Sequence, residues 1–230
     1  RLPWDLILKG ALSGYPPIGG AAFPTTGLLD NFNRADENPL GNGVWAGPIH
    51  SGQNQMQILT NQATGTTSFS NSYLSTSYGP DSELFYTLST IPATGQEYNA
   101  YIRLVDPGTT GLDGYLLYTS ANTGANNNGL YRIDNDANTL LGASFSQDWA
   151  TGNLRGLEMI GSTLAAYINT GSWAQITTRT DATYTGAGKI GFQHGNGSTI
   201  GRFDDFNGGT VVGANPAYQP WYHRAPVLAQ

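Results

Sequence analysis

Ile200-Gly201-Arg202-Phe203-Asp204-Asp205-Phe206-Asn207-Gly208-Gly209 carries the clearest sign of how the domain closes. It mixes apolar and polar residues, ends in a glycine pair, and is the last strand-like segment before a proline-punctuated tail. Far upstream, Leu28-Leu29-Asp30-Asn31-Phe32-Asn33-Arg34 has the same character. The two are expected to pair as neighbouring strands and to close one globular unit between them. Phe203 and Phe206 are three apart, and side chains of a regular strand alternate between faces. Both reach one core only if Asp204-Asp205 forms a bulge. That pair therefore reads as part of a structural clasp, which is expected to release the chain at Gly208-Gly209.

The intervening chain is a series of short strand candidates at the spacing of a sandwich or barrel. They are Gln55 to Leu59, Leu84 to Leu88, Tyr98 to Val105, Gly114 to Tyr118, Leu130 to Ile133 and Thr139 to Ala143. Leu154 to Ile160, Thr163 to Ile168, Trp173 to Thr178 and Lys189 to Phe192 follow. Within Tyr98 to Val105 the alternation puts Tyr98, Ala100, Ile102 and Leu104 on one side, and Asn99, Tyr101 and Arg103 on the other. The separators are turn chemistry, such as Pro107-Gly108, Asn126-Asn127-Asn128-Gly129, Asp134-Asn135-Asp136 and Thr170-Gly171. No segment sustains a 3.6-residue period, so helix is not expected.

Composition agrees. The 230 residues include 31 glycines, roughly twice ordinary use, and only 11% are charged, under half the usual ~25%. The formal charge is -6, lysine occurs only at Lys9 and Lys189, and no basic cluster exists. Nucleic-acid binding rests on neutralising phosphates, so this balance argues against it. No apolar run approaches the ~20 residues of a membrane span. Asp5 and Lys9 interrupt the apolar N-terminal segment, which makes a poor signal peptide. Arg1 is an unusual first residue. Cysteine is absent, which removes disulfides, thiolate metal sites and cysteine nucleophiles, and suits a bacterial or viral protein.

Two arms flank the unit. Residues 1-27 carry Gly14-Tyr15-Pro16-Pro17 and Phe23-Pro24, and are rich in apolar side chains, including Trp4, Leu6, Ile7 and Tyr15. Residues 210-230 carry Pro216, Pro220 and Pro226 with Tyr218, Trp221, Tyr222 and Arg224, types that anchor protein interfaces. The expected organisation is an extended N-terminal arm (1-27), a β-sandwich (28-209) and an extended C-terminal arm (210-230).

Asp30-Asn31-Phe32-Asn33-Arg34-Ala35-Asp36, with Leu40-Gly41 and Trp45, resembles the opening of concanavalin A-like, laminin-G-like domains of bacterial and phage surface proteins. Leu154-Arg155-Gly156-Leu157-Glu158, Gly161 to Asn169, Asp181-Ala182-Thr183-Tyr184, Gly188-Lys189-Ile190-Gly191 and Asp204-Asp205-Phe206 resemble the same family. The resemblance covers about residues 28–209. It implies an all-β jelly-roll sandwich of two antiparallel sheets with adjacent terminal strands. It also implies a mostly non-catalytic module that binds glycans, decorates a surface, or accompanies a polysaccharide-degrading enzyme.

Glycoside cleavage needs paired carboxylates across the bond. Glu37, Glu83, Glu97 and Glu158 are scattered, with no Glu-x-Asp-x-Glu pattern, so the chain is read as not an enzyme. Asp134-x-Asp136-x-Asn138 resembles the start of a calcium loop but lacks the later glycine and glutamate, and reads as a hairpin turn. His50, His194 and His223 have no ligand spacing, and no metal site or cofactor is assigned; a structural calcium stands as an open alternative. Gly186-x-Gly188-x-x-Gly191 is followed by strand, not helix, and reads as a turn.

Aromatic residues supply the remaining signal. Tyr101, Tyr115, Tyr131, Trp149 and Trp173, with Tyr118 and the hydrogen-bonding Arg132, are the candidate glycan platform; filling the core is the competing role for each. Two readings follow. One is a non-catalytic structural protein on a virion surface, in the tail or head of a phage-like particle, with arms that contact other subunits and a sandwich that binds glycans. The alternative is a secreted, extracellular carbohydrate-binding module.

Overall fold

A computed structural model describes residues 22–66, 69–121, 127–195 and 200–212. The arm residues Trp4, Leu6, Ile7, Tyr15, Tyr218, Trp221, Tyr222 and Arg224 lie outside them. Period-two burial organises what is described, as in the strand Asp113–Ser120, where Tyr115 and Leu117 face one side and Leu116 and Tyr118 the other. In chain order the strands are β1 (Gly27–Asp30), β2 (Trp45–Ala46), β3 (Gln57–Ile58), β4 (Ala63–Thr64), β5 (Ser70–Leu74) and β6 (Ser82–Thr90). Next come β7 (Glu97–Val105), β8 (Asp113–Ser120), β9 (Asn127–Asp134), β10 (Ala137–Leu140) and β11 (Phe145–Ser146). Last are β12 (Leu154–Ile160), β13 (Thr163–Asn169), β14 (Trp173–Thr180), β15 (Lys189–Gly195) and β16 (Arg202–Thr210). Among the described residues there is no helix.

The strands make two antiparallel sheets. The first has the order β14-β13-β12-β6-β16-β4-β3, with β1 also pairing β16. The second has the order β10-β9-β8-β7-β15-β5-β2, with β11 against β9. This is the expected all-β jelly-roll sandwich, and the expected clasp is present: Leu28 pairs with Asn207, and Asp30 with Phe206. The strand runs past Gly208-Gly209 to Thr210, further than its glycine pair suggested.

The clasp depends on one extra residue. Asp204 pairs with Thr87 and Asn207 with Phe85, so three steps of β16 match two of β6, and Asp205 takes φ 48°. The bulge returns Phe203 and Phe206 to the same side, and both are fully buried. They meet Phe192 at 5.5 and 5.3 Å between ring centroids, and Phe192 also contacts Trp45, Phe32 and Tyr86. Asp30 secures the entrance strand to this cluster. Its carboxylate accepts the Trp45 indole N–H at 2.7 Å, the Arg34 guanidinium at 2.7 Å and the Phe32 amide at 2.8 Å.

A second bulge moves a residue from its expected face. Ile102 pairs with Tyr115 and Val105 with Asp113, again three steps against two, with Arg103 at φ 53°. Leu104, expected beside Ile102, instead joins Ile49, Tyr101, Leu112, Leu116 and Ile133 in a separate cluster on the outer face of the second sheet. Strand β5 has no apolar alternation and was not expected. Its Ser70, Asn71 and Ser72 are buried, yet their polar groups are used: Asn71 Oδ1 accepts the Ile49 amide, and Ser72 Oγ accepts the Met56 amide at 3.1 Å.

The sheets are also bridged by a charge. Arg155 of β12 is wholly buried and donates to the carbonyls of Tyr98 and Leu117 on the facing sheet. Its guanidinium lies 5.0 Å from the Tyr98 ring centroid and 5.2 Å from that of Trp149. Carbonyl dipoles and ring faces thus compensate a desolvated cation.

His194, in β15, is buried beside Phe203 with neither ring nitrogen hydrogen-bonded among the described residues. Burial, then the charge of Arg202, lowers its pKa from 6.5 to about 4. The native state keeps this imidazole neutral while the unfolded state takes a proton. Stability from this residue is therefore complete above pH 6.5 and drains away as pH falls towards 4. Chemical denaturation across that range should take up about one proton more on unfolding in the unaltered chain than in His194→Gln, so the difference between the two pH slopes reports this residue. An unchanged pH slope in the variant contradicts the assignment.

Candidate functional site

The outer face of the second sheet carries a pocket of about 350 Å³ lined by His50, Ser51, Gln53, Phe69, Glu97, Asn99, Tyr101, Tyr118, Asp136, Asn138 and Gln193. Alternation explains the floor. On β7, Tyr98, Ala100 and Ile102 enter the core, which turns Glu97, Asn99 and Tyr101 outward; on β15, Phe192 turns inward and Gln193 outward. The Ile49–Gln53 loop and the β9–β10 hairpin supply the walls. The loop is held by Asn71, whose Oδ1 accepts the Ile49 amide and whose amide donates to Gln53, and by the Gly108 amide on the Ile49 carbonyl at 2.6 Å. Asp136 sits in the hairpin turn, where Asn135 and Asp136 take positive φ of 49° and 64°.

A continuous hydrogen-bond chain crosses the floor. His50 Nδ1 lies 2.5 Å from Asp136 Oδ1, and its Nε2 lies 3.0 Å from the Tyr101 hydroxyl. That hydroxyl donates to Gln193 Oε1 at 2.5 Å, and Gln193 Nε2 faces Glu97 Oε2 at 3.5 Å. The Tyr101 hydroxyl stands at the centre of the chain, between His50 and Gln193.

Glu97 also accepts from Tyr118 at 3.2 Å and Asn99 at 3.4 Å. Burial pushes its carboxyl above the usual range; the Asn99 and Tyr118 hydrogen bonds and nearby His50 oppose the shift. Desolvation, with Glu97 beside it, raises the Tyr118 phenol to about 12. Among the described residues, neither lysine nor arginine lines the pocket. Such a site offers hydroxyl, amide and carboxyl groups to neutral polar ligands and repels anions.

The structure divides the residues singled out from sequence. Tyr101 is on this floor, its ring buried and its hydroxyl in the chain. Tyr131 is half-buried on the same face, edge-on to Tyr118 at 5.7 Å. Arg132 is committed to Asp134 at 2.7 Å and Asp181 at 2.9 Å. Tyr115 and Trp149 do not belong to an exposed platform. Tyr115 is fully buried with its hydroxyl on Asp181, and Trp149 is buried against Arg155 with its indole N–H on Asn128. Trp173 lies on the opposite sheet, near Phe23. The six therefore form no single platform. His50, Glu97, Asn99, Asp136 and Gln193 were not chosen as site residues; for Asn99 the alternation of β7 was the available signal. In the hairpin expected at Asp134 to Asn138, Asp134 is engaged by Arg132 and the Tyr184 hydroxyl, and Asp136 by His50.

No family model matches the chain, and no curated relative was found. Solved structures do share its fold. A Bacillus subtilis protein with a galectin-like fold has a TM-score of 0.54 at 13% identity, covering 79% of this chain and 97% of its own. Bacillus licheniformis β-glucanase has a TM-score of 0.52 at 12% identity, covering 81% and 99%. The VIP36 exoplasmic/lumenal domain, in a form bound to Ca2+ and Man3GlcNAc, has a TM-score of 0.51 at 10% identity, covering 72% and 83%. The fold is a concanavalin A-like β-sandwich. Binding proteins and enzymes both occur among these neighbours, so the fold does not decide between the two activities.

Tyr101→Phe should keep the buried ring but break the chain at its centre. The expected loss is about 1–2 kcal/mol of stability in chemical denaturation, with the far-ultraviolet spectrum unchanged. A neutral or stabilising result contradicts a continuous hydrogen-bonded floor.

Proposed function

We propose that the groove on the second sheet binds neutral saccharides, and that the protein acts by holding them rather than cleaving them. The observation that carries this reading is the pocket floor, where Glu97, Asn99, Tyr101 and Gln193 are mutually hydrogen-bonded beside the half-buried rings of Phe69 and Tyr118. Sugar hydroxyls need such in-plane donors and acceptors, and their C–H faces need an aromatic surface. The carboxyls of Glu97 and Asp136, with no lysine or arginine among the described lining residues, favour neutral sugars over phosphorylated, sulfated or acidic ones. Sugar bound to the VIP36 domain is consistent with this reading.

The non-catalytic part rests on how the acids are used. Asp136 is paired with His50, and Glu97 is shared among Asn99, Tyr118 and Gln193, so both stabilise the floor. The two settings read from sequence, a virion surface and a secreted module, differ chiefly in the role of the terminal arms. The groove serves either.

A glycan array followed by calorimetry tests the proposal. Neutral oligosaccharides should bind saturably, and Asn99→Ala and Gln193→Ala should each weaken binding about tenfold or more, since each leaves partners unpaired. Release of reducing sugar from a bound oligosaccharide overturns the non-catalytic reading. Absence of any neutral binder overturns the site.

A further inference from the structure

The opposite face of the sandwich holds a different arrangement. Phe23 precedes β1 and belongs to no strand, yet it is only 9% exposed. Its ring stacks on Tyr167 at 4.0 Å with an 8° interplanar angle, and meets Trp173 and Phe85 edge-on at 4.8 and 5.9 Å. Gly156 of β12 makes the room: a Cβ there would lie 2.4 Å from the Phe23 ring. Two positions on, one oxygen gathers the next residues. Glu83 Oε1 accepts the backbone N–H of Thr25 and of Thr26, each at 2.6 Å, and their hydroxyls at 3.2 and 2.7 Å. Glu83 is fully buried, and its other oxygen has no partner among the described residues.

This is how a peptide lies in a recognition slot: an aromatic anchor in a ring-lined socket, then a charged acceptor reading two consecutive N–H and hydroxyl pairs. Side chains of the sheet make the hold. Among the described residues, the ladder to β16 begins only at Gly27, and residues 22–26 take no part in strand pairing. The slot is acidic as well as aromatic. Glu158 is the Cα partner of Glu83, and burial, with Glu83 among its neighbours, raises its carboxyl. Donor-rich segments fit there and acidic ones do not.

We propose that this face is a peptide-binding site, that residues 22–26 are its detachable strap, and that the strap of a second copy of this chain fits it as well as its own. Exchange of such an element between identical chains replaces each contact with its equivalent, so it costs little beyond association. The site is separate from the saccharide groove and does not depend on that reading.

The test uses the full chain with Phe23→Ala, which empties the socket, and a free peptide spanning residues 21–28. Trp173 lies against the socket and reports occupancy by fluorescence. The peptide should bind the variant saturably and at least about tenfold tighter than it binds the unaltered chain, whose own strap competes from a high effective concentration. Adding Glu83→Gln should abolish most of that binding, while the far-ultraviolet spectrum stays unchanged. A folded variant that shows no saturable binding, or binding indifferent to Glu83, overturns the proposal. If Phe23→Ala does not fold, Thr25→Ala with Thr26→Ala loosens the strap while leaving its ring in place. The same peptide must then bind that double variant more tightly than the unaltered chain, and failure to do so overturns the proposal equally.

Discussion

The single residue inserted in β16 at Asp205 is the constraint on which the sandwich depends. Without it, Phe203 and Phe206 would point to opposite faces. With it, both pack on Phe192, and the rings of Trp45, Tyr86 and Phe32 complete one cluster joining the two sheets. Each edge-on or offset ring pair is worth about 0.5–1.5 kcal/mol beyond the area it buries. The cluster therefore fixes the register of the strand to which β1, β4 and β6 all pair. Asp30 then ties the chain's entrance to its exit, because it binds Trp45 and Arg34 from the strand that pairs with Phe206.

The same device, used a second time, shapes the groove. The bulge at Arg103 sends Leu104 outward and creates an apolar cushion beneath the Ile49–Gln53 loop. Tyr101 is part of that cushion through its ring and part of the groove through its hydroxyl. Packing holds the ring, so the hydroxyl stands at a fixed point between His50 and Gln193. Polar groups held in this way lose little freedom when a ligand arrives, and this makes a small polar pocket selective.

Much of the fold was legible because apolar alternation and turn residues carry it. The bulge at Asp204-Asp205 followed from the spacing of two phenylalanines, and the β1–β16 pairing from the likeness of two short segments. Strand β5 was not legible, since Ser70, Asn71 and Ser72 are buried for their hydrogen bonds and not for their hydrophobicity. The site was harder to read. Large aromatics marked candidates, but Tyr115 and Trp149 serve the interior. The groove is built from His50, Glu97, Asp136 and Gln193, which are far apart in sequence and converge only once the sheet order is known. The slot for Phe23 was hidden for a related reason. It depends on what Gly156 lacks, and an absent side chain leaves no pattern to read.

We propose the preordered polar floor on the second sheet as the place where this protein meets its ligand. Amide chemical-shift mapping during titration with a neutral oligosaccharide identified by array tests it most directly. Shifts should concentrate at Glu97 to Tyr101, at Gln193, and in the loop around His50. Shifts confined to β12, β13 and β14 on the other sheet, or none at saturating sugar, would contradict it.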